Sequence, residues 1–255
     1  MLRSANKNAL GSEKFSIIMP AYNAAKTITD SINSVLAQTL TDFKLYIVND
    51  NSQDATESII HSFSDDRIVY LKNESNLGVA SSRNKALEVA SGKYVAFLDS
   101  DDLWDGEKLE KQEMIFDQGW DVVCSHYITF SDLDRNKINN RKSPEVITYN
   151  DMLKSNFIGN LTGAYNMQKI GKIYQKKIGH EDYVMWLYIL NKVQRAYCIQ
   201  ESLASYRLST TSISGNKFKA ARWQWNIYRE ELDFSVSKSA YYFLQYMKNA
   251  LKKRG

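Results

Sequence analysis

Apolar and polar positions fall into two kinds of block along the first hundred residues of the chain. Short continuous apolar runs are typical of buried strands, and the stretches between them carry apolar residues at helical spacing. The strand-like runs cover 15–19, 43–48, 68–71 and 94–98, and the helix-like stretches cover 25–37, 54–63 and 79–90. This alternation predicts parallel β-α-β units with right-handed crossovers, and hence an α/β fold.

Beyond residue 104 the pattern is weaker. It predicts helices over 108–116 and 182–192, strands over 121–130 and 196–206, and amphipathic, aromatic-rich segments near 223–232 and 240–251. The polar stretch 131–144 has the composition of a mobile loop. The last amphipathic segment is a candidate for docking on a surface or a membrane.

Three carboxylates follow the fourth apolar run directly, at Asp99, Asp101 and Asp102, with Ser100 between them. Ligands of open α/β sheets bind beyond the carboxyl ends of the strands, so these acids lie where a ligand would bind. Clustered carboxylates repel one another unless a cation compensates, and Mg²⁺ and Mn²⁺ prefer oxygen ligands. A metal ion that holds a phosphate is therefore one interpretation, and a solvated Asp-rich turn is the other.

Composition limits the class of protein. The chain has 255 residues, 44% of them hydrophobic, which is ample for a core, and no apolar stretch reaches the roughly 18–20 residues that span a bilayer. The polar residues 1–14 lack the apolar core of a signal peptide, so we expect a cytoplasmic protein. Cys124 and Cys198 lie in apolar segments without a zinc-binding pattern, and we expect both to be reduced core residues.

The net charge of +4 is unevenly distributed. Residues 217–255 contain nine Lys and Arg against three Asp and Glu, so the basic character belongs to the C-terminal segment. A nucleic-acid binder would normally carry its basic residues on a recognition surface, which argues against nucleic acid as a partner. The distribution favours an anionic membrane surface or a lipid phosphate.

Four motifs follow the predicted strands in order. They are Ile17-Ile18-Met19-Pro20-Ala21-Tyr22-Asn23, Val48-Asn49-Asp50-Asn51-Ser52-Gln53-Asp54, Asn76-Leu77-Gly78-Val79-Ala80-Ser81-Ser82-Arg83-Asn84 and Phe97-Leu98-Asp99-Ser100-Asp101-Asp102. Together they resemble the donor-binding half of family 2 glycosyltransferases, and the resemblance resumes at His180-Glu181-Asp182-Tyr183. It implies a GT-A fold, with a Rossmann-like, mostly parallel central sheet flanked by helices. It also implies a donor-binding half over 1–104, an acceptor and catalytic-base half of the same domain over 105–215, and a basic, aromatic, helical C-terminal extension over 216–255.

The first three motifs each have a physical interpretation at the donor site. Pro20 lacks an N–H and would end the first strand, which places the ring of Tyr22 for stacking on a planar base. Asp50 can accept the imide N–H of uracil. The family that the chain resembles commonly has glycine where this chain has Asn51, and asparagine tolerates a positive φ better than most residues, so the turn can be kept. Arg83 follows Gly78 in a predicted helix and could reach the donor pyrophosphate or ribose. The alternatives are a strand-ending turn, local capping and a surface salt bridge.

For the acidic motif, the resemblance implies that Asp99 contacts the ribose and that Ser100 lies in the same nucleotide-sugar site. Asp101 is then the leading ligand of a divalent metal ion, Mn²⁺ or Mg²⁺, which binds the donor diphosphate. Asp102 supports Asp101 in this role.

The second chemical site is Glu181-Asp182, at the start of a helix-like run. An acidic pair at this position is also what helix capping produces. The resemblance implies that Asp182 is the general base of an inverting enzyme, with Glu181 and Trp186 completing the motif. A segment at Arg207 also resembles the family and suggests a diphosphate contact. His180 is expected to be positioned by its neighbours and to have no catalytic role.

The resemblance implies a metal-dependent, inverting glycosyltransferase. We expect it to move one hexose, galactose or glucose, from a UDP-sugar to a lipid-diphosphate-linked or oligosaccharide acceptor, making a β-linkage in bacterial O-antigen or capsule synthesis. The absence of a Gln-x-x-Arg-Trp motif argues against processive polymerisation. We expect the protein at the inner face of the cytoplasmic membrane, held peripherally by the C-terminal segment.

Three alternatives remain at this stage. One is a non-catalytic protein that binds a nucleotide-sugar or lipid-linked glycan at the membrane surface. Another is a nucleotide-dependent oxidoreductase, but no G-x-G-x-x-G follows the first strand. The third is a retaining rather than an inverting transferase.

Overall fold

The structure, a computed structural model, describes residues 13–132, 139–208 and 217–252. Within these residues ten strands form one sheet: β1 (Phe15–Ala21), β2 (Phe43–Asn49), β3 (Ile68–Lys72), β4 (Tyr94–Phe97), β5 (Leu103–Trp104), β6 (Val122–Phe130), β7 (Asn139–Arg141), β8 (Val146–Thr148), β9 (Ala164–Asn166) and β10 (Arg195–Arg207). The α-helices of the same residues are α1 (Ile28–Leu36), α2 (Thr56–Ser62), α3 (Val79–Val89), α4 (Lys108–Asp117), α5 (Tyr149–Lys154), α6 (Met167–Ile170), α7 (Glu181–Val193), α8 (Lys217–Asn226) and α9 (Val236–Lys252).

The first four strands form the parallel unit that the sequence predicts. Strand β1 pairs in parallel with β2 and β4, and β2 pairs in parallel with β3. Every residue of β1 and β4 is buried, because helices cover both faces of this part of the sheet. The carboxyl ends of the four strands therefore lie at one edge, where their loops can meet.

The sheet is mixed beyond β4. Its order is β3-β2-β1-β4-β9-β6-β10-β5, with β7 beside β6 and β8 beside β10. Strand β9 is antiparallel to both β4 and β6, whereas β6 and β10 are parallel to each other. The expectation of a mostly parallel sheet holds for the first four strands, and the second part adds antiparallel pairs.

The elements that the sequence does not predict are short. Helices α5 and α6 and strand β9 have six, four and three residues, too few to show a hydrophobic period. The expected loop over 131–144 is partly wrong, because β7 lies in it and pairs with β6. Residues 133–138 of that loop lie outside the described residues.

The C-terminal helices are built into the core. A π-helical turn, Ile227–Glu231, follows α8 and leads towards α9. Its residues Ile227 and Tyr228 are buried. The Tyr228 hydroxyl donates a hydrogen bond to the Leu153 carbonyl oxygen at 2.6 Å. On α9, Tyr242 packs against the same core and donates to Asn150. Tyr228 and Tyr242 thus pack on the inner side of the helices.

One buried lysine stands out in the core. Lys108, at the start of α4, is fully buried, with its ammonium 4.0 Å from the centre of the Trp104 ring and 2.8 Å from Gln112 Oε1. Burial penalises the charged form and lowers the pKa of Lys108 to about 7. No carboxylate pairs with Lys108 among the residues that the structure describes.

We expect this lysine to make the stability of the protein depend on pH. Between pH 7 and 10.5 the unfolded chain holds a proton on Lys108 that the folded chain has released, so the free energy of unfolding rises with pH. The limiting slope for one such group is about 1.4 kcal/mol per pH unit. Denaturant unfolding at pH 7, 8 and 9 should show this rise, and Lys108→Met should remove it.

Lys111→Met is the matched control, because Lys111 lies on the same helix and is paired with Glu107 and Glu201 near the surface. Those partners raise the pKa of Lys111, so it stays protonated in both states across this window. The same slope in wild type and Lys108→Met would contradict the assignment.

Candidate functional site

The loops after β1, β2, β3 and β4 meet at the carboxyl edge of the parallel strands. Pro20 is buried inside β1 and pairs with Val48, and the strand continues to Ala21, so the expectation that Pro20 ends the strand is wrong. Strand β4 pairs with β1 only as far as Ile18, so the missing Pro20 N–H costs no ladder bond on that side. Tyr22 follows with 49% of its surface exposed.

Asp50 anchors the loop between β3 and α3. Its carboxylate is buried and accepts hydrogen bonds from Asn73 Nδ2 at 2.7 Å and from the backbone N–H groups of Leu77 and Gly78 at 2.9 and 2.8 Å. Burial opposes ionisation, but these donors outweigh it and lower the pKa of Asp50. Asn51 has the expected positive φ, 59°. The uracil contact of Asp50 stays a prediction, since the loop already occupies the carboxylate.

Arg83, on α3, is a buried link between the two predicted chemical sites. Only 4% of it is exposed, so a surface salt bridge is excluded. One guanidinium nitrogen, Nη2, donates to Asp99 Oδ1 at 2.5 Å, and Nη1 donates to Gln175 Oε1 at 3.1 Å and to Glu181 Oε1 at 3.5 Å. Arg83 Nε has no hydrogen-bond partner among the described residues. Its contact with a donor phosphate or ribose stays a prediction.

The acidic motif forms the turn between β4 and β5. Asp102 is buried, and burial together with repulsion from Asp99 and Asp101 raises its pKa well above the ordinary value. Burial, and then Asp99, also raise the pKa of Asp101. Ser100 is half-buried, and its carbonyl oxygen accepts a hydrogen bond from Thr27 Oγ1 at 2.9 Å.

This turn has the donor set for a divalent cation. Burial first, and then repulsion between the carboxylates, disfavour their charged forms, and a bound cation would stabilise those forms. Within the described ranges, no three His, Cys, Asp or Glu side chains form a group that could hold a metal ion unaided. A cation at Asp101 and Asp102 would therefore take further ligands from water or a bound phosphate, as Mg²⁺ commonly does.

Arg207, at the end of β10, holds the acidic turn by hydrogen bonds to Asp102 and Asp101. Its backbone N–H donates to Asp102 Oδ1 at 2.9 Å, and its Nε donates to the Asp101 carbonyl oxygen at 2.8 Å. The guanidinium also pairs with Asp132 and, at 3.5 Å, with Asp30. These contacts fix the position of the turn, and the predicted diphosphate contact of Arg207 stays a prediction.

Glu181 and Asp182 occupy the first turn of α7, on the other side of Arg83. Burial, and then repulsion from Asp182, raise the pKa of Glu181. In the described part of the chain, nothing donates a hydrogen bond to the Asp182 carboxylate. Trp186 is fully buried beneath this turn, edge-on to Phe97, and its ring is packed in the core.

The sequence interpretation assigned no role to two tyrosines that lie near these carboxylates. Tyr127 on β6 and Tyr206 on β10 have ring centres 6.4 Å apart. Burial, and then Asp102 and Asp101, raise the pKa of Tyr206 to about 12. The pKa of Tyr127 is raised by burial and also by Asp102 and Asp182, so its hydroxyl lies within electrostatic range of both acidic groups. Tyr206 precedes Arg207 in the segment that resembles the family, whereas Tyr127 has only the sequence pattern of a core strand residue.

Comparison with known proteins identifies the family. The model for glycosyl transferase family 2 matches residues 16–184. The putative teichuronic acid biosynthesis glycosyltransferase TuaG of Bacillus subtilis is 41% identical over 243 residues, covering 94% of this chain and 96% of TuaG. The Escherichia coli UDP-Glc:alpha-D-GlcNAc-diphosphoundecaprenol beta-1,3-glucosyltransferase WfgD is 39% identical over 246 residues, covering 93% and 94%.

A solved structure supports the fold. S. aureus TarS 1-349 in complex with UDP-GlcNAc matches with a TM-score of 0.70 at 21% identity, covering 92% of this chain and 71% of that one. The family match spans both the acidic turn and the start of α7. The chain belongs to glycosyltransferase family 2, and it is a glycosyltransferase with the GT-A fold.

Proposed function

We propose that this glycosyltransferase moves a single hexose from a UDP-sugar to a lipid-diphosphate-linked acceptor sugar in the synthesis of a bacterial surface polysaccharide. Glucose is the first donor sugar to test, with galactose second, and a β-linkage is the expected product. The glucosyltransferase activity in the name of WfgD and the UDP-GlcNAc bound to TarS support a UDP-sugar and a lipid-linked acceptor. The role in teichuronic acid biosynthesis that TuaG is named for supports the surface polysaccharide.

The observation that carries the proposal is that two acidic groups, the turn after β4 and the first turn of α7, lie on either side of Arg83. Arg83 donates to Asp99 in the acidic turn and to Glu181 beside Asp182. Inverting transfer needs a base on the acceptor side and a positive group on the side of the leaving diphosphate. The two sites supply residues for both requirements.

The reaction follows from this arrangement. Asp182 takes the proton of the acceptor hydroxyl while that oxygen attacks the anomeric carbon from the face opposite the diphosphate. The bond from the anomeric carbon to the diphosphate oxygen breaks, and UDP leaves with the electron pair. Asp101 and Asp102 would hold Mn²⁺ or Mg²⁺, which when bound supplies positive charge to the leaving diphosphate.

Donor recognition uses the residues at the ends of β1, β2 and β4. The half-exposed ring of Tyr22, next to buried Pro20, is available for stacking on the base. Asp50 and Asp99 are assigned to the uracil and the ribose, and Ser100 to the same nucleotide-sugar site. Release of UDP from a panel of UDP-sugars, with Mn²⁺, with Mg²⁺ and with chelator, tests the assignment as a whole.

A non-catalytic protein that binds a nucleotide-sugar or a lipid-linked glycan is the second candidate. The glycosyltransferase relatives that match over almost the whole chain favour catalysis. Binding of UDP without turnover on any acceptor tested would favour the binding protein instead. The anomeric configuration of the product separates inversion from retention.

Replacing the base should stop transfer and spare donor binding. Asp182→Asn keeps the size of the side chain but cannot accept the acceptor proton, so we expect kcat to fall by about 10²-fold or more. UDP binding by calorimetry should stay close to that of wild type. Asp66→Asn, an exposed substitution near β3, is the control. Transfer at the wild-type rate by Asp182→Asn would rule out Asp182 as the base.

Replacing the leading metal ligand should act on the donor side. Asp101→Asn removes one negative charge from the acidic turn, so we expect UDP affinity and transfer to lose their dependence on Mn²⁺ or Mg²⁺. Calorimetry of UDP binding with metal and with chelator measures this, again with Asp66→Asn as control. A metal dependence equal to that of wild type in Asp101→Asn would contradict the metal assignment.

The outer face of α9 is assigned to an anionic membrane surface at the inner side of the cytoplasmic membrane. Tyr241, Leu244 and Met247 lie on this face with 53, 69 and 38% of their surfaces exposed, and Lys238 and Lys248 are exposed beside them. Residues three apart on a helix are neighbours, so the apolar side chains form one stripe. Among the residues the structure describes, no helix is long and apolar enough to cross a bilayer.

Membrane docking is best tested by substitution, since deletion of 217–255 would also remove buried Ile227 and Tyr228. The triple variant Tyr241→Ser, Leu244→Ser, Met247→Ser should reduce co-sedimentation with vesicles that contain anionic phospholipid, because it removes the apolar stripe. Met114→Ser, which replaces a methionine 55% exposed on α4, is the control. Equal sedimentation of the triple variant and wild type would count against docking by α9.

A further inference from the structure

Helix α8 packs on the residues that directly precede α7, the helix that carries Asp182. The Trp223 ring packs against His180, with ring centres 5.3 Å apart and planes at 84°. A Cβ atom on Gly179 would overlap the Trp223 indole, so only glycine leaves room for the ring at this position. The contact therefore joins the C-terminal segment to the two residues before Glu181.

His180 has a conformation that needs support. It is the N-cap of α7, with φ 62° and ψ 42°, which is left-handed and costs an ordinary residue of order 1–2 kcal/mol. Its carbonyl oxygen accepts the N–H of Val184 at 3.1 Å and so begins the hydrogen-bond ladder of α7. Asp182 lies within this first turn, and its direction depends on where the helix begins.

Helix α8 holds His180 through a second contact. The imidazole interacts with the backbone of Ala220, and burial lowers the pKa of His180. The other ring nitrogen, Nε2, has no hydrogen-bond partner in the part of the chain that the structure describes. The sequence predicts that neighbours position His180 without naming them. In the structure these neighbours are Trp223 and the backbone of Ala220 on α8.

The position of α8 itself is fixed by the core. Gln224, the residue after Trp223, is fully buried, and Tyr228 anchors the following turn to Leu153 on α5. The Lys219 ammonium lies 4.8 Å from the centre of the Trp223 ring. Trp223 thus contacts Gly179 and His180 from a helix that Gln224 and Tyr228 anchor in the core.

We propose that Trp223 is a positioning residue for Asp182, holding Gly179 and His180 so that α7 begins where it presents the Asp182 carboxylate to the acceptor hydroxyl. The inference rests on the proposed role of Asp182 as base. A displacement of about 1 Å in a catalytic group can cost about 10²-fold in rate, so loss of this support should appear in kcat. The donor residues lie on other loops and should be unaffected.

Trp223→Ala tests this role against a matched substitution on the same helix. Trp225 is half-buried like Trp223, but it packs against Phe243 of α9 and away from Gly179. We expect kcat of Trp223→Ala to fall by about tenfold or more, with donor KM and UDP affinity within about twofold of wild type. Trp225→Ala should keep kcat, and Trp223→Phe, which retains a ring, should recover most of it.

A steric variant gives an independent test. Gly179→Ala should lower kcat in the same way, because the new Cβ displaces the Trp223 ring. Once the ring is displaced, adding Trp223→Ala should cause little further loss, so the two effects should be far from additive. Additive effects on kcat would overturn the proposed contact.

The outcomes separate this inference from the proposed function. An inactive Asp182→Asn beside a fully active Trp223→Ala overturns the positioning role alone. Wild-type activity in Asp182→Asn overturns the base and the positioning role with it. If Trp223→Ala loses UDP affinity in proportion to kcat and its melting temperature falls well below that of Trp225→Ala, Trp223 supports the fold in general and the specific role is overturned.

Discussion

The ion pairs of the buried Arg83 side chain hold the candidate site together. One guanidinium, almost without exposure, contacts Asp99 in the turn after β4 and Glu181 at the start of α7. These two carboxylates belong to parts of the chain about 80 residues apart, and Arg83 is their shared counter-charge. Removing either carboxylate would leave the buried guanidinium with less compensation for its charge, which destabilises the folded state. The geometry of both chemical sites therefore depends on this side chain.

The site concentrates more negative charge than its cations compensate. Arg83 and Arg207 are the buried arginines that contact the acidic residues. The guanidinium of Arg207 is already paired with Asp132 and Asp30. The pKa values of Asp101, Asp102 and Glu181 are all raised, with burial as the leading cause in each. A fold selected only for stability would avoid such an arrangement, and a fold that binds a cation and a diphosphate together has a use for it.

The sequence predicts the elements of residues 15–104 better than those that follow, for a physical reason. Strands β1 to β4 are buried on both faces, so each appears as a continuous apolar run, and the loop after each run is recognisable. In the second half, β9 is three residues long and antiparallel, and its place between β4 and β6 leaves no periodic signal. Gln175 reaches the site from a loop between short elements, and Tyr127 from the predicted strand β6, and no motif marks either residue. Asp50 and Arg83 were found by motif, but their tertiary partners were not.

The C-terminal segment shows how composition can mislead about position. Its basic and aromatic residues suggest a detachable tail, whereas in the fold one side of it completes the core through Ile227 and Tyr228. The outer face of α9 is exposed, and Trp223 on α8 faces Gly179 just before α7. The same segment thus lies between the surface assigned to the membrane and the residue assigned as base. In the proposed function a lipid-linked acceptor would reach Asp182 from that membrane, so an element that contacts both would set the distance between them.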